Sequence, residues 1–258
     1  MLLVMDVGNS HTVLGLFEGS ELRAHLRVVT TTHRTSDELR ILFSMLFQQE
    51  SFDPRSVRGC CISSVVPQLN HSLEKAAREG FKTTPLFVGP GIRTGIVIKV
   101  DNPKEVGADR IVNAIAAVDE HDGPLIIVDF GTATTFDVIT EAAEFRGGVI
   151  VPGIQISSDA LFEKCAMLPQ VEIARPATVI GRDTVSCIRS GLTFGYTDMV
   201  DGLLGRIAEE MGGAPKVIAT GGFAGFISQI SKRINHVDPL LTLKGLRLIY
   251  NKNERIPA

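Results

Sequence analysis

The chain carries the same short pattern twice, about half its length apart, and this repeat constrains the fold more than any other feature. Residues 2–12 read LLVMDVGNSHT: an apolar run, an Asp-x-Gly step and a cluster of small polar residues. Residues 125–135 read LIIVDFGTATT and repeat that order, with Asp129 in the place of Asp6. An apolar run that stops at a glycine turn is typical of a buried strand. The repeat therefore predicts two similar lobes, each built around a strand that ends in a polar turn.

The segments after each copy match as well. Both read as strand, turn, strand and strand, followed by a helix. The first helix is predicted to begin near Thr35–Glu38, where a hydroxyl cap precedes two acids, and the second covers about 154–167. Further strands are predicted at 60–65, 85–88 and 216–220, and further helices at 67–79, 111–117 and 184–211.

Alternating strands and helices predict an α/β fold of two lobes, residues 1–122 and 123–258, with the break at His121-Asp122-Gly123-Pro124. Two lobes that each present an Asp-Gly turn suggest a nucleotide cleft between them. This is the pattern of the actin-like (ribonuclease H-like) superfamily of acetate and sugar kinases, chaperone ATPases and actin, although such a fold alone does not define a function.

Composition excludes several classes of function. The net charge of −3 offers no basic surplus for nucleic acid. No apolar run approaches the ~20 residues of a membrane span, and Asp6 interrupts the N-terminus where a signal peptide needs its apolar region. A cytoplasmic location is expected. The four cysteines contain no CxxC pair, so reduced thiols that fill the core are expected rather than a zinc site.

The first turn has the chemistry of a phosphate site. Gly8 allows close approach of a polyphosphate, Asn9, Ser10 and Thr12 offer donors, and Asp6 at the strand end is a candidate Mg²⁺ ligand. An ordinary hairpin turn is the alternative for one copy, and the second copy favours phosphate binding. For the second copy, the alternative is that the threonines after Asp129 are present because threonine favours strands. That preference does not explain the Asp-x-Gly before them.

Two other segments are chemically ambiguous. Asp109 and Arg110 lie near a predicted helix start, where a carboxylate accepts a hydroxyl proton and an arginine binds an anion. A helix-start acid and a solvated arginine explain them equally well. Gly221 and Gly222 follow a strand and leave space for a base or ribose, although a plain strand–helix turn has the same composition.

Taken in order, these segments resemble the type III pantothenate kinases over nearly the whole chain. The matching segments are DVGNSHT at 6–12, ISSVVP at 62–67, DNPKEVGADR at 101–110, DFGTATTFD at 129–137, GGVIVPGI at 147–154, GRDTVSCIRSG at 181–191 and TGG at 220–222. The resemblance implies ATP-dependent phosphorylation of pantothenate, the first step of coenzyme A synthesis. One departure is Val100, where many members carry a tyrosine that faces pantothenate.

The resemblance also implies roles for individual residues. Asp109 would be the proton acceptor, Asp129 would bind K⁺ or NH₄⁺, and Asp6 would lie near Mg²⁺. Pantothenate would contact Gly107, Ala108, Asp109, Arg110 and, from the partner chain of a homodimer with shared active sites, Thr184. ATP would contact Asp6, Val7, Gly8, Asn9, Ser10, His11, Thr12, Val13 and Thr132. Gly221 and Gly222, which follow the predicted strand 216–220, are further candidates for contact with ATP.

Two other functions remain open from the residues alone. One is a different kinase or a phosphatase of the same superfamily, which phosphate turns do not distinguish. The other is a non-enzymatic nucleotide-binding regulatory factor. The GADR and TGG segments favour the pantothenate kinase by resemblance, and the absence of a basic tail argues against direct DNA contact.

Overall fold

The computed structural model describes residues 1–254, except for the side chains of Leu46 and Gln49. Residues 255–258, the end of the predicted second lobe, lie outside the described residues. The chain divides into two compact units. The first comprises Met1–Val97, Asp101–Ala116 and the stretch that begins at Leu240, and the second comprises Ile98–Val100 and Ala117–Pro239.

Strands and helices alternate along the chain. The strands are β1 (Leu2–Val7), β2 (His11–Glu18), β3 (Glu21–Val29), β4 (Gly59–Ser64), β5 (Leu86–Phe87), β6 (Val97–Ile98), β7 (Leu125–Phe130), β8 (Ala133–Ile139), β9 (Glu144–Pro152), β10 (Lys216–Gly221) and β11 (His236–Val237). The α-helices are α1 (Ser36–Gln49), α2 (Pro67–Phe81), α3 (Ala108–Glu120), α4 (Ile154–Lys164), α5 (Thr184–Ser190), α6 (Tyr196–Met211), α7 (Ala224–Ser228) and α8 (Leu241–Glu254). Short 3₁₀ helices cover Pro54–Ser56 and Pro103–Glu105, and a π-helical turn covers Gly191–Gly195.

The sheet of the first unit has the strand order β3-β2-β1-β4-β5. β1, β2 and β3 are antiparallel neighbours, whereas β4 runs parallel to β1 and β5 parallel to β4. One face of β1 and β4 packs against α1 and α2 through buried apolar side chains that include Leu3, Met5, Ile62, Phe43 and Leu73. The other face carries α8, whose Tyr250 ring lies directly over Gly59.

The sheet of the second unit has the order β11-β10-β7-β8-β9-β6. β8 is antiparallel to β7, β9 is antiparallel to β8, and β10 runs parallel to β7. One face of this sheet packs against α6 and α7, with Ile126 and Val128 from the sheet in one cluster with Val200, Leu204 and Ile227. Apart from β6 at the edge, the strand order repeats that of the first unit, so the predicted repeat is confirmed as a repeat of topology.

The division of the chain differs from the predicted lobes in two places. The first unit ends at Ala116 in the middle of α3 rather than at residue 122, and the chain returns to it at Leu240. This return occurs because α8 buries Leu241, Leu243, Leu246 and Ile249 and packs on β1 and β4. Residues 240–254, predicted as part of the second lobe, therefore complete the first unit.

The cysteine prediction is confirmed for two residues and wrong for the other two. Cys60 and Cys61 are completely buried in β4, and burial raises the pKa of both thiols, that of Cys61 to about 12. Cys165 and Cys187 are exposed, because they lie at the end of α4 and on the outer face of α5. In the described part of the chain, no helix is long and apolar enough to span a membrane.

Candidate active site

The first polar turn connects β1 to β2 in the first unit. Asp6 is partly buried near the end of β1, and the amide of Gly8 donates a hydrogen bond to the carbonyl of His11 at 3.0 Å. A β-carbon added at Gly8 would lie 3.1 Å from that carbonyl, so a larger residue would require the turn to shift by a few tenths of an ångström. Asn9, Ser10 and His11 are exposed. The turn therefore presents polar side chains beside a strand-end carboxylate.

Thr12 and Val13, also predicted to contact ATP, belong to β2. Thr12 pairs with Val7 and Val13 with Asp6 across the antiparallel ladder. The Thr12 side chain is buried, and its Oγ1 lies 2.9 Å from Oγ1 of Thr30. The Thr12 hydroxyl thus ties β2 to the residue that follows β3.

The second polar turn, between β7 and β8, is one residue shorter than the first. Phe130 pairs with Thr134, whereas Val7 pairs with Thr12, so Thr134 occupies the position equivalent to Thr12. The Thr134 side chain is fully buried, 2.7 Å from the Tyr196 hydroxyl, which donates a hydrogen bond to the carbonyl of Pro152 at 2.9 Å. Thr134 therefore connects the sheet to α6.

Asp129, near the end of β7, has hydroxyl groups on both sides. It is in register with Thr135 of β8 and with Thr220 of β10. Residues in register on neighbouring strands project to the same face of a sheet. The Thr135 hydroxyl is buried and has no hydrogen-bond partner, which is uncommon for a buried polar group. Carboxylate and hydroxyl oxygens are ligands that hard cations prefer.

Gly221 makes room for the Asp129 carboxylate. Its φ is +90°, and a β-carbon at this position would lie 2.5 Å from Asp129 Oδ1 and 2.7 Å from the backbone of Phe130. The amide of Gly222 donates a hydrogen bond to the carbonyl of Phe130 at 3.1 Å. From the sequence, these glycines are predicted to contact a base or ribose, and the steric requirement of Asp129 is not evident.

Asp109 lies in the first turn of α3, within the first unit. Its Oδ1 accepts a hydrogen bond from the Arg110 amide at 2.9 Å. Burial raises the pKa of the Asp109 carboxyl, and the interactions with Arg110 oppose this shift only in part. A β-carbon at Gly107 would lie 2.5 Å from Asp109 Oδ1, so a larger residue at position 107 would require the carboxylate to move from its observed position. A carboxylate with a raised pKa is a suitable proton acceptor.

Contacts with α8 hold α3 in place. Thr242 donates a hydrogen bond to Oδ1 of the completely buried Asn113 at 2.7 Å. Gly245 faces the carbonyl of Val112 so closely that a β-carbon would collide with it. Asn113 lies one helical turn after Asp109, so these contacts fix the part of α3 that carries the carboxylate. No local pattern indicated this pairing.

Thr184 is the first residue of α5, in the second unit, and its side chain is exposed. The preceding Asp183 caps the helix: its carboxylate accepts a hydrogen bond from the Ser186 amide at 2.9 Å, and Ser186 completes a capping box. Hydrogen bonds from Ser186 lower the pKa of Asp183. The cap holds Thr184 in a defined position at the helix start.

Val100 belongs to the short segment of the second unit that precedes the 101–110 loop. The Lys99 amide donates a hydrogen bond to the Phe145 carbonyl at 2.8 Å, and the Lys99 ammonium pairs with Glu144. A β-carbon at Gly147, whose φ is +100°, would lie 3.6 Å from Val100. The valine is thus held against β9, at the position where the resemblance implies a tyrosine.

The comparisons with known proteins agree on one family. The family model for type III pantothenate kinases matches residues 2–206. The chain is 52% identical to a type III pantothenate kinase of Myxococcus xanthus over 253 residues, which is 98% of this chain and 99% of that protein. It is 53% identical to one of Anaeromyxobacter sp., over 98% of this chain and 100% of the relative. The chain belongs to the type III pantothenate kinase family.

Solved structures of more distant proteins show the same fold. A Baf family protein of Campylobacter jejuni superposes with a TM-score of 0.61 at 20% identity, over 98% of this chain and 100% of that one. A ROK hexokinase of Thermus thermophilus superposes with a TM-score of 0.51 at 12% identity, over 97% and 99%. The predicted actin-like α/β fold, with two mixed sheets flanked by helices, is confirmed. A kinase of this family uses ATP with a divalent metal ion.

Within residues 1–254, no three or more histidine, cysteine, aspartate or glutamate side chains are grouped to hold a metal ion. Mg²⁺ usually keeps several waters and takes only one or two carboxylates together with substrate phosphates. Asp6 beside a polar turn fits that pattern of ligands.

Proposed function

We propose that the protein transfers the γ-phosphate of ATP to the primary hydroxyl of pantothenate and forms 4′-phosphopantothenate, the first step of coenzyme A synthesis. Family membership supports the substrate pair. The observation in the chain that carries the chemistry is the Asp109 carboxylate, whose pKa is raised by burial at the start of α3.

Asp109 acts as the proton acceptor. The pantothenate hydroxyl oxygen attacks the γ-phosphorus in line with the bond to the β–γ bridging oxygen, that bond breaks, and ADP leaves. The hydroxyl proton moves to an Asp109 carboxylate oxygen. Gly107, Ala108 and Arg110 position the pantothenate beside Asp109. The guanidinium of Arg110 is suited to bind the carboxylate of pantothenate.

The polar turns hold the nucleotide. In the first unit, the turn from Asp6 to Val13 binds ATP phosphates through the Gly8 turn and the exposed Asn9, Ser10 and His11. Asp6 holds Mg²⁺ through water or directly, and the ion offsets phosphate charge when it is bound. In the second unit, Thr132 contacts the ATP phosphates, and Gly221 and Gly222 contact the adenosine.

Asp129 binds K⁺ or NH₄⁺. The support is the pair of flanking hydroxyls, Thr135 and Thr220, and the partnerless Thr135 hydroxyl. The cation places a positive charge at the second polar turn.

The working form is a homodimer in which Thr184 of one chain reaches the pantothenate held by the other. Several exposed apolar side chains lie on and after α4 and before α5, close in sequence to Thr184, and exposed apolar surface favours a protein–protein interface there. These side chains are Ile156, Phe162, Met167, Val179 and Ile180.

An acceptor panel tests the proposed reaction. ADP formation from MgATP is measured with pantothenate, with glucose, with acetate and with no acceptor. We expect pantothenate alone to stimulate ADP formation. Equal stimulation by glucose or acetate would point to another kinase of the superfamily, and nucleotide binding without any turnover would point to a regulatory factor.

A further inference from the structure

Ser63, the penultimate residue of β4, has a buried hydroxyl group without a hydrogen-bond partner. Its side chain is completely buried. Buried hydroxyl groups are nearly always hydrogen bonded to protein or to ordered water. The missing partner therefore lies outside the protein chain, as an ordered water or a bound group, and the neighbours of Ser63 indicate which one.

Ser63 lies directly beside Asp6. The two residues are in register on the parallel strands β4 and β1, so their side chains project from the same face of the sheet. That face carries α8, because Gly59, four residues before Ser63 on the same face, contacts Tyr250. The hydroxyl thus adjoins the carboxylate that the proposed function assigns to magnesium.

The hydroxyl of the next residue, Ser64, is hydrogen bonded within the protein. Ser64 Oγ accepts a hydrogen bond from the Val66 amide at 3.2 Å, which shapes the turn into α2. The amide of Val65 donates to the carbonyl of Val7 at 3.0 Å and holds this turn against the end of β1. The chain therefore uses one serine for the turn and leaves the other, beside Asp6, available.

The second unit repeats the arrangement. Thr220 of β10 is in register with Asp129 of β7, as Ser63 is with Asp6, and its side chain is only 2% exposed. Both strand-end carboxylates thus have a buried hydroxyl on the adjacent parallel strand.

We propose that Ser63 is a positioning residue for magnesium: its hydroxyl donates a hydrogen bond to a water of the hydrated Mg²⁺ that Asp6 holds with ATP. This inference rests on the proposed function, since it requires that MgATP binds at the first polar turn. A hydroxyl is a suitable partner for metal-bound water because Mg²⁺ retains several waters and polarises them.

Metal binding to the protein–nucleotide complex tests this inference without relying on turnover. Mn²⁺ replaces Mg²⁺, and its affinity for protein saturated with a non-hydrolysable ATP analogue is measured by electron paramagnetic resonance. Affinity for the analogue in EDTA is measured in parallel. For Ser63→Ala we expect the Mn²⁺ affinity to fall about 10-fold, as for loss of a hydrogen bond to a charged group. The affinity for the ATP analogue in EDTA should change little. Ser64→Ala is the matched control and should leave both affinities unchanged.

Each of the following outcomes would overturn the inference. Mn²⁺ affinity of Ser63→Ala could equal that of the wild type, or both affinities could fall together, which would indicate a role in nucleotide binding or in folding. If the wild-type protein binds no MgATP, the proposed function fails and the inference fails with it. Should Ser63→Ala not fold, a crystal structure of the wild type with Mg²⁺ and the analogue decides. Ser63 Oγ should lie within about 3.2 Å of a metal-bound water, and a water that bridges only protein atoms would contradict the assignment.

Discussion

At the scale of single residues, each of the two candidate carboxylates lies close against a glycine. Gly107 leaves space for Asp109 and Gly221 leaves space for Asp129, and in each case a β-carbon would lie 2.5 Å from a carboxylate oxygen. These contacts are a steric reason for glycine at both positions that does not depend on a ligand.

Replacement of Asp109 by asparagine should remove the proton acceptor and keep the shape of the site. We expect kcat to fall by roughly 10²–10⁴, the usual contribution of a general base, while ATP binding is retained. Steady-state kinetics and nucleotide titration measure the two effects. Near-normal turnover in the folded variant would remove Asp109 from this role.

The same substitution should stabilise the fold at neutral pH. Burial raises the pKa of Asp109 above its unfolded value, so ionisation costs more in the folded state than in the unfolded chain. That penalty is complete above the folded pKa and disappears below the ordinary aspartate pKa of about 3.9. The Tm of Asp109→Asn should therefore exceed that of the wild type at pH 7, and the difference should shrink toward pH 4. A Tm difference that does not depend on pH would contradict the assigned shift.

Asp129 should make the activity dependent on a monovalent cation. Its oxygen neighbours suit K⁺ or NH₄⁺, so removal of both ions should lower kcat/KM, and Asp129→Asn should weaken the response. Activity is measured in K⁺, NH₄⁺ and Na⁺ buffers after exhaustive dialysis. Equal rates in all three buffers and in the dialysed enzyme would refute the cation site.

At the scale of elements, Gly221→Ala should destabilise the turn between β10 and α7. The new β-carbon would meet Asp129 and Phe130, and φ at this residue is +90°. We expect a loss of about 1–3 kcal/mol in the free energy of unfolding, measured by denaturant titration. Gly225→Ala, in α7 with open space around it, is the control and should be neutral or slightly stabilising. Equal effects of the two substitutions would exclude the steric explanation.

Local patterns predicted the repeated elements well because each follows from residues that are close in sequence. The strand before Asp6 and the strand before Asp129 are continuous apolar runs, and both are present as β1 and β7. The predicted helix 184–211 is present as α5, a π-helical turn and α6 in succession. The π-helical turn at Gly191–Gly195 shifts the register of the side chains along the helix, and residue spacing alone did not reveal it.

Features that depend on distant residues were missed. α8 was not predicted, and its return to the first unit depends on Gly245 meeting Val112 of α3, a contact across more than half the chain. The alignment of the two turns placed Thr135 opposite Thr12, whereas strand pairing makes Thr134 the equivalent residue. The sequence predicted the segments that form the candidate site. The glycine contacts and the unpartnered Ser63 hydroxyl were evident only from the three-dimensional structure.

At the scale of the whole molecule, a shared site predicts complementation between two damaged chains. Asp109→Asn and Thr184→Ala chains are mixed under conditions of verified subunit exchange. In a symmetric dimer, one site of each mixed pair carries both substitutions and the other carries neither, so about a quarter of all sites should be intact. Activity no higher than that of the separate variants would rule out sharing of this pair of residues.

The central claim is that this chain places the γ-phosphate of ATP on pantothenate with Asp109 as the base. The most direct measurement follows the reaction by ³¹P nuclear magnetic resonance, with MgATP and pantothenate and with either the wild type or Asp109→Asn. We expect a new phosphomonoester signal that grows in equal amount with ADP, and a rate at least about 100-fold lower for the variant. ADP that accumulates with free phosphate and without the phosphomonoester would contradict it.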